Sequence, residues 1–335
     1  MIAKAAVLIK KNKVKIKKII LPELQKGQLL VKIKYSSICH TQIQEISGLR
    51  GKDLFLPHCL GHEASGIVVN KHKSVKKVKK KDFVCLTWVF SRGLNAGGTT
   101  YCDKKNNKIN AGPVNTFSNY SIVSENKIQK INKKSDLKKS VLLGCAAPTA
   151  FNCIFNNTTK QKEKKILILG AGGVGLLAVY ASKTLNFKEI AVLDVNKKKL
   201  ILAKKYGATK VINDLNNKSL NNYYDYVLEC TGNIMVLQKS IKFVKKFGGT
   251  LFIIGNYKHL SKFKIDPWEL LLGKKMSGSW NKKFDYDTNF KKFYSHLKNF
   301  NLNKYFGNKI YRLEEINKAI KDLKNGKIIR PLIKM

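Results

Sequence analysis

Arginine and acidic residues are scarce in this sequence of 335 residues. Only four arginines occur, at positions 50, 92, 312 and 330, against 61 lysines, and the 21 acidic residues leave a formal charge of +44. Such a charge suggests nucleic-acid binding. However, arginine is the residue best suited to bidentate recognition of phosphates and bases, and the lysines are spread along the whole chain. A solvated lysine surface is therefore favoured, and we do not expect nucleic acid as a partner.

Long apolar runs are also absent. No stretch of ~18 uncharged apolar residues, the length that spans a bilayer, occurs. The N-terminal MIAKAAVLIKKNKVKIKK has no signal-peptide arrangement. The seven cysteines form no paired framework, so we expect thiols and metal ligands instead of disulfides. These observations predict a cytoplasmic protein without a membrane span, and its length predicts two domains.

The stretch 164–194 carries the strongest local pattern. An apolar run, Ile166–Leu169, ends in a glycine cluster, and a helical stretch and a second apolar run, Ile190–Leu193, follow before Asp194. This order of strand, tight turn, helix, strand and acid is typical of a dinucleotide-binding unit. The candidate cofactor-binding residues of the cluster are Gly170, Gly172, Gly173, Val174 and Gly175.

Each glycine of this cluster has a separate predicted role. Gly170 allows the tight turn, Gly172 lets the backbone approach a pyrophosphate, and Gly175 lets the helix pack close to the sheet. Asp194 is placed to accept hydrogen bonds from the adenosine ribose and to repel a 2′-phosphate, which favours NAD. The lysines that follow, Lys199 among them, leave NADP open as a cofactor.

Secondary-structure patterns differ between the ends and the middle of the chain. Residues 1–35 alternate apolar and lysine residues, which is typical of antiparallel β-structure. After Asp194, strands and helices alternate as far as about residue 280, which indicates a parallel sheet covered by helices. The pattern predicts an α/β protein, and the glycine- and asparagine-rich segment 91–112 is predicted to contain a short hairpin.

Two short segments identify a family. Ile38–Thr41 reads ICHT and Gly61–Gly66 reads GHEASG, and both precede the dinucleotide unit. Together with TFSNYSIV at 116–123 and LLGCAAPTAF at 142–151, they resemble the zinc-dependent alcohol dehydrogenases of the medium-chain dehydrogenase/reductase superfamily over nearly the whole chain. The resemblance implies a β-rich GroES-like catalytic domain, residues 1–146 and 281–335, into which a Rossmann domain, residues 147–280, is inserted.

The same resemblance implies a metal site. The family's catalytic zinc ligands match Cys39, His62 and Cys145, with Glu63 close enough to be an exchangeable ligand. Two thiolates and one imidazole leave a tetrahedral position open for water or an alcohol, as a catalytic zinc requires. Taken singly, either cysteine would more simply be an apolar core residue, and His62 a core histidine with satisfied hydrogen bonds.

Further roles follow from the resemblance alone. Thr41 matches the hydroxyl that begins the family's proton relay, and Trp88 matches a bulky residue of the substrate pocket, although Trp88 is about as compatible with a plain core role. His40 and Arg330 match residues that contact the cofactor pyrophosphate. Thr149 matches a residue that touches the nicotinamide.

The sequence also departs from the family. Many members have an acid and a histidine where this chain has Gln42 and Gln44, so a carboxylate near the zinc and the terminal base of the relay are missing. Segment 91–112 has only Cys102, where many relatives have four cysteines that bind a structural zinc. We therefore expect one zinc per chain, and the altered segment suggests a substrate more polar than ethanol, such as a polyol, cyclitol or sugar-derived alcohol.

The sequence thus predicts a zinc-dependent alcohol dehydrogenase that transfers a hydride between an alcohol and NAD(P). Relatives form dimers or tetramers, so we expect a homodimer or a homotetramer. A zinc-free quinone or enoyl reductase of the same superfamily is one alternative. A basic nucleic-acid-binding protein on the same scaffold is an alternative from another class.

Overall fold

In a computed structural model, which describes residues 1–132, 137–279 and 285–335, the chain divides into two compact units. Unit 1 is Met1–Pro148 with Asp285–Met335, and unit 2 is Thr149–Phe284. The chain thus leaves the first unit and returns to it, as an inserted domain requires. The first division falls two residues after the predicted boundary at 146, whereas the predicted boundary at 280 lies outside the described residues.

Unit 1 is built mainly from β-strands. Five of them, in the order β1-β2-β7-β8-β4, form a closed barrel, and the rest form a sheet in the order β10-β6-β5-β3-β18-β17, with β9 also paired to β3. The strands are β1 (Ile2–Lys10), β2 (Lys13–Ile20), β3 (Gln28–Ser37), β4 (His58–Cys59), β5 (Ala64–Lys71), β6 (Phe83–Leu86), β7 (Thr99–Cys102), β8 (Lys108–Gly112), β9 (Tyr120–Ser124), β10 (Ile128–Ile131), β17 (Ile310–Arg312) and β18 (Leu332–Lys334).

Alternation of apolar and polar residues explains these strands. In β1, for example, Ala3 and Ala5 are buried while Lys4 is exposed, because successive side chains of a strand point to opposite faces. The hairpin predicted in segment 91–112 is present as the antiparallel pair β7 and β8. In the tail, the strand is limited to Leu332–Lys334, since Pro331 directly before it has no backbone N–H to donate to a ladder.

The described helices that lie wholly in unit 1 have between 5 and 11 residues. They are α1 (His40–Ile46), α2 (Leu137–Val141), α8 (Tyr286–His296), α9 (Leu302–Phe306) and α10 (Ile316–Lys324), while α3 (Ala146–Asn157) crosses from unit 1 into unit 2. Helix α10 buries Ile316, Ile320 and Leu323, which recur at helical spacing. It packs in one apolar cluster with Leu8 and Ile46, so the tail is anchored near the C-terminal end of α1.

Unit 2 contains one sheet of six parallel strands in the order β13-β12-β11-β14-β15-β16. The strands are β11 (Lys165–Leu169), β12 (Glu189–Leu193), β13 (Lys210–Ile212), β14 (Tyr226–Glu229), β15 (Thr250–Ile253) and β16 (Lys275–Gly278), and the helices are α4 (Gly173–Thr184), α5 (Lys197–Tyr206), α6 (Ile234–Phe243) and α7 (Pro267–Leu271). The α/β class and the doubly wound parallel sheet predicted from the sequence are both confirmed. Among the described residues, no helix is long and apolar enough to cross a membrane.

Candidate functional site

Three side chains predicted as metal ligands meet in unit 1. Cys39, His62 and Cys145 each bring one ligand atom into a group in which all atoms lie within 4.8 Å of one another. Cys39 is the N-cap of α1, His62 lies in the connection between β4 and β5, and Cys145 follows a single turn of 3₁₀ helix. It is the only such cluster within the described part of the chain.

Two glycines explain how the backbone brings these ligands together. Gly61, immediately before His62, has φ +95°, and a Cβ there would lie 2.9 Å from the backbone nitrogen of Phe117. A Cβ on Gly144, immediately before Cys145, would lie 2.4 Å from the carbonyl oxygen of Leu86. Both positions therefore require glycine. The close approach of these backbones fixes where the following ligand side chains begin.

The two thiols interact directly. A hydrogen bond between them holds the pKa of Cys39 well below its usual range, and the positive charge of Arg330 acts in the same direction. The same hydrogen bond, together with burial, raises the pKa of Cys145. Two buried thiols beside a cationic group are a suitable pair of metal ligands. A divalent metal ion such as zinc binds both of them as thiolates.

His62 presents one nitrogen to this group. Its Nε2 is buried and has no hydrogen-bond partner among the described residues, so the lone pair of this nitrogen can serve as a metal ligand. Its Nδ1 contacts the side-chain amide of Gln42, whose Oε1 accepts a hydrogen bond from the backbone N–H of Cys39 at 3.0 Å. Gln42 thus connects two of the three ligands, and the three residues fit a zinc ion.

Glu63, which follows the ligand His62, is paired with Arg330 beside this site. The Glu63 carboxylate is fully buried, and its Oε1 accepts hydrogen bonds from the hydroxyl of Ser37 and from Arg330 Nε, the latter at 2.9 Å. Burial raises the pKa of Glu63, and the guanidinium opposes that rise. Oε2 has no partner in the described structure. One carboxylate oxygen is therefore held in place while the other is available, as an exchangeable ligand requires.

The remaining predicted residues of unit 1 lie around this group. The hydroxyl of Thr41 lies 3.5 Å from Cys39 Sγ, and His40 is exposed at the start of α1. The carbonyl of Trp88 accepts a hydrogen bond from Lys127 Nζ at 2.7 Å, and the same ammonium lies 3.4 Å from the centre of the Phe90 ring. Thr41 thus lies beside the metal ligands, whereas the substrate-pocket role of Trp88 stays a prediction.

The glycine cluster of unit 2 forms an open turn between β11 and α4. Gly170 has φ +97°, and a Cβ on Gly175 would lie 1.9 Å from the carbonyl oxygen of Gly170. A Cβ on Gly172, in contrast, would meet nothing within 4 Å. Gly173 and Val174 then form the first turn of α4. The space above Gly172 is a cradle that a side chain would fill, next to a helix N-terminus whose N–H groups favour an anion. These residues fit a dinucleotide pyrophosphate.

Asp194 holds this turn from the neighbouring strand. Its carboxylate accepts hydrogen bonds from the backbone N–H groups of Ala171 and Asn196, both at 2.8 Å. Asn196 is the N-cap of α5, which carries Lys199 in its first turn. Thr149 lies on α3. Asp194 therefore has a structural role in the turn beside its predicted contact with a ribose.

Sequence reasoning missed several contacts. Gln42 was noted as the loss of a carboxylate, whereas the structure shows its amide against His62. Arg330 was predicted at the pyrophosphate, and its observed partner is the carboxylate of Glu63, 267 residues away. Because no local pattern relates residues so far apart, nothing in the sequence pointed to that pair. A cluster of Glu45, Asp53 and His58 was also missed.

Comparison with known proteins agrees with this geometry. The family model of the alcohol dehydrogenase GroES-like domain matches residues 25–133, and that of the zinc-binding dehydrogenase matches residues 173–299. The chain is similar to a probable S-(hydroxymethyl)glutathione dehydrogenase of Schizosaccharomyces pombe, with 27% identity over 92% of this chain and 90% of the relative. It is also similar to the class-3 alcohol dehydrogenase of Drosophila melanogaster, with 28% identity over 92% and 90% of the two chains.

A solved structure extends the likeness to the whole fold. The crystal structure of an alcohol dehydrogenase zinc-binding domain protein from Burkholderia ambifaria superposes with a TM-score of 0.89 at 25% identity, over 100% of this chain and 99% of that one. The two matched family models, the full-length relatives and the cluster of two thiols and one imidazole all indicate the same family. The chain belongs to the zinc-dependent alcohol dehydrogenases of the medium-chain dehydrogenase/reductase superfamily.

Proposed function

We propose that this protein catalyses the zinc-dependent oxidation of an alcohol with NAD(P)⁺, or the reverse reduction of the corresponding carbonyl. The observation that carries the proposal is the convergence of Cys39, His62 and Cys145. Two sulfurs and one nitrogen are the ligand set of catalytic zinc in alcohol dehydrogenases, and they leave one coordination position open. A zinc ion held there supplies Lewis acidity, which lowers the pKa of an alcohol.

The protein's own groups orient and deprotonate the substrate in this scheme. Thr41, beside Cys39, holds the alcohol hydroxyl and receives its proton. Glu63 keeps one oxygen free to exchange at the metal while Arg330 holds the other. Trp88 lines the substrate side, and its backbone is fixed by Lys127.

For the cofactor we propose NAD. The pyrophosphate occupies the space above Gly172, and the carboxylate of Asp194 binds the adenosine ribose and disfavours a 2′-phosphate. From the family resemblance alone, we propose His40 and Arg330 as contacts of the pyrophosphate and Thr149 as a contact of the nicotinamide. Lys199 is the residue through which NADP could still be accepted.

We further propose a single zinc per chain. Segment 91–112 contains Cys102 as its only cysteine, and one thiol cannot form a closed structural site. All seven cysteines are free thiols in the structure, which supports a reducing compartment such as the cytoplasm.

A homodimer or a homotetramer is also part of the proposal. The outer strand β16 pairs on one side only within the described sheet, and Trp268 and Leu271, shortly before it, are 63% and 73% exposed. An open sheet edge beside exposed apolar residues favours association with a second copy.

A zinc-free quinone or enoyl reductase would have no use for three converging metal ligands, and a nucleic-acid-binding protein would have no use for the dinucleotide turn. Neither alternative is favoured. The test is to assay the purified protein with NAD⁺ and NADP⁺ against ethanol, polyols, cyclitols, sugar alcohols and S-(hydroxymethyl)glutathione, following the absorbance of the reduced nicotinamide, and to measure bound metal. Turnover with about one zinc per chain supports the proposal, whereas turnover by metal-free protein contradicts it.

A further inference from the structure

A second group of ionisable side chains lies near the metal ligands in unit 1. His58 Nε2 lies 2.8 Å from Asp53 Oδ2 and 3.8 Å from Glu45 Oε1. The other ring nitrogen, Nδ1, lies 3.1 Å from the carbonyl oxygen of Cys59, to which it donates a hydrogen bond. His58 is thus a buried imidazole that faces two carboxylates, and it fixes the side chain of Asp53 and electrostatically attracts that of Glu45.

Glu45 is close in the helix to Thr41, the residue proposed to receive the substrate proton. Thr41 and Glu45 are four residues apart on α1, so their side chains lie on the same face of the helix, with Cβ atoms about 5–6 Å apart. Gln42, which contacts His62, lies on the adjoining face. Glu45 therefore lies one helical turn after Thr41, the residue whose hydroxyl is beside Cys39.

The surroundings of Glu45 suit a base that works near neutral pH. Burial raises its pKa, and the neighbouring His58 and Arg50 limit that rise, while Asp53 adds to it. A raised pKa brings a carboxyl group closer to the pH at which general bases are most effective. The side chain is nevertheless 29% exposed, so it can exchange its proton with water.

Oxidation of an alcohol requires such a group. The carbon–hydrogen bond gives its electron pair and hydrogen to the nicotinamide as hydride, and the oxygen–hydrogen bond releases a proton that must leave a buried site. The other nearby carboxylate, Glu63, has one oxygen bound to Arg330 and Ser37 and is fully buried. Glu45 is the carboxylate that combines nearness to Thr41 with access to solvent.

We propose that Glu45 is the general base that receives the substrate proton through Thr41, with His58 and Asp53 as positioning residues that hold it. The substrate O–H bond breaks as Thr41 takes its proton, Thr41 passes its own proton to a carboxylate oxygen of Glu45, and the electron pair stays on the substrate oxygen. Glu45 then releases the proton to water. The inference rests on the proposed function, because it assigns a proton path to that same reaction.

The test compares E45Q, E45D, E45A and the exposed-site control E23Q in zinc-loaded protein. We expect kcat at pH 7 to fall on the order of 10²-fold in E45Q, with little loss in E45D and none in E23Q. Zinc content and NADH binding should stay at the wild-type level. Added formate should raise the kcat of E45A, because a small carboxylate restores the missing base. A rate lost only in proportion to lost zinc, or an unchanged rate in E45Q, would overturn the proposal.

A second variant separates proton acceptance from simple stabilisation. H58N removes a group that lowers the pKa of Glu45, so the acidic limb of the kcat–pH profile should move to higher pH. Because His58 also holds the proposed base in place, the plateau rate should fall too, but by less than in E45Q. An unchanged limb would contradict the assignment. Wild-type protein that oxidises no alcohol would instead refute the proposed function itself, so the two failures are distinguishable.

Discussion

Arg330 and Glu63, 267 residues apart in the sequence, form a fully buried ion pair in which Arg330 Nε lies 2.9 Å from Glu63 Oε1. The pair joins the C-terminal tail of unit 1 to the residue that follows the ligand His62. A buried pair is held by electrostatic attraction and hydrogen bonds, and removing one partner leaves the other charge buried without compensation.

Replacing Arg330 should therefore be costly. We expect R330A to lower the free energy of unfolding by about 3–5 kcal/mol, measured by urea denaturation. R92A is the control, because the Arg92–Asp285 pair is exposed and should contribute less than about 1 kcal/mol. Equal effects of the two substitutions would show that the buried pair has no special role.

A substitution at Gly172 should change cofactor binding without preventing folding. Its φ of −82° suits any residue, and a Cβ would meet no protein atom within 4 Å. G172A should therefore stay within about 1 kcal/mol of the wild type in stability, because the lower entropy of the unfolded chain opposes the loss of glycine at the N-cap of α4. Its affinity for NADH should nevertheless fall about tenfold or more, which corresponds to about 1.4 kcal/mol, because the methyl group fills the cradle.

The comparison for this experiment is G175A, whose Cβ would lie 1.9 Å from the carbonyl oxygen of Gly170. This substitution should lower stability as well as NADH binding. Fluorescence titration of NADH and thermal unfolding measure the two properties. Unchanged NADH affinity in G172A would show that the pyrophosphate does not bind in the space above that residue.

Gln42 should control how tightly the metal is held. An imidazole that binds metal through Nε2 carries its proton on Nδ1. The NH2 group of Gln42, which faces Nδ1, cannot accept a hydrogen bond from that proton, whereas a carboxylate can. We expect Q42D to bind zinc about 10–100-fold more tightly than the wild type, in a competition titration with a chelator. Q44D adds the same charge two residues away on α1 and should have little effect. Equal tightening by both aspartates would indicate a general effect of charge.

The buried amine of Lys127 should make the stability of the protein depend on pH. Burial lowers the pKa of its amine to about 8, whereas the unfolded chain protonates it with a pKa of about 10.4. Between these values the unfolded state binds more protons, so the contribution of Lys127 to the free energy of unfolding rises as the pH increases from 8 to 10. K127M should remove that rise, and urea denaturation at pH 7 and pH 10 measures the difference from the wild type. A wild-type difference that K127M leaves unchanged would contradict this assignment.

Local patterns predicted much of this structure, because each depends on residues that are neighbours in sequence. The turn at Gly170, the strands around Asp194 and the hairpin β7–β8 follow from spacing and glycine chemistry. The meeting of Cys39, His62 and Cys145 was predicted only through resemblance, since three separated residues carry no periodic signal.

Other contacts were beyond sequence reasoning for the same reason. The amide of Gln42 against His62, the pair of Arg330 with Glu63 and the cluster around His58 depend on how distant segments pack. The sequence alone does not show which residues these side chains contact. Asp194 shows a related limit, because its bond to the N–H of Ala171 is a structural role that the motif alone does not reveal.

The most direct test of the account is the zinc content of purified wild-type, C39S, H62A and C102S protein, measured with the alcohol-oxidation rate and the circular dichroism spectrum of each. We predict about one zinc per chain in the wild type, the same content and rate in C102S, and loss of both zinc and turnover in C39S and H62A with the fold retained. Turnover that survives without zinc, or zinc that stays bound in C39S and H62A, would contradict the proposed metal centre.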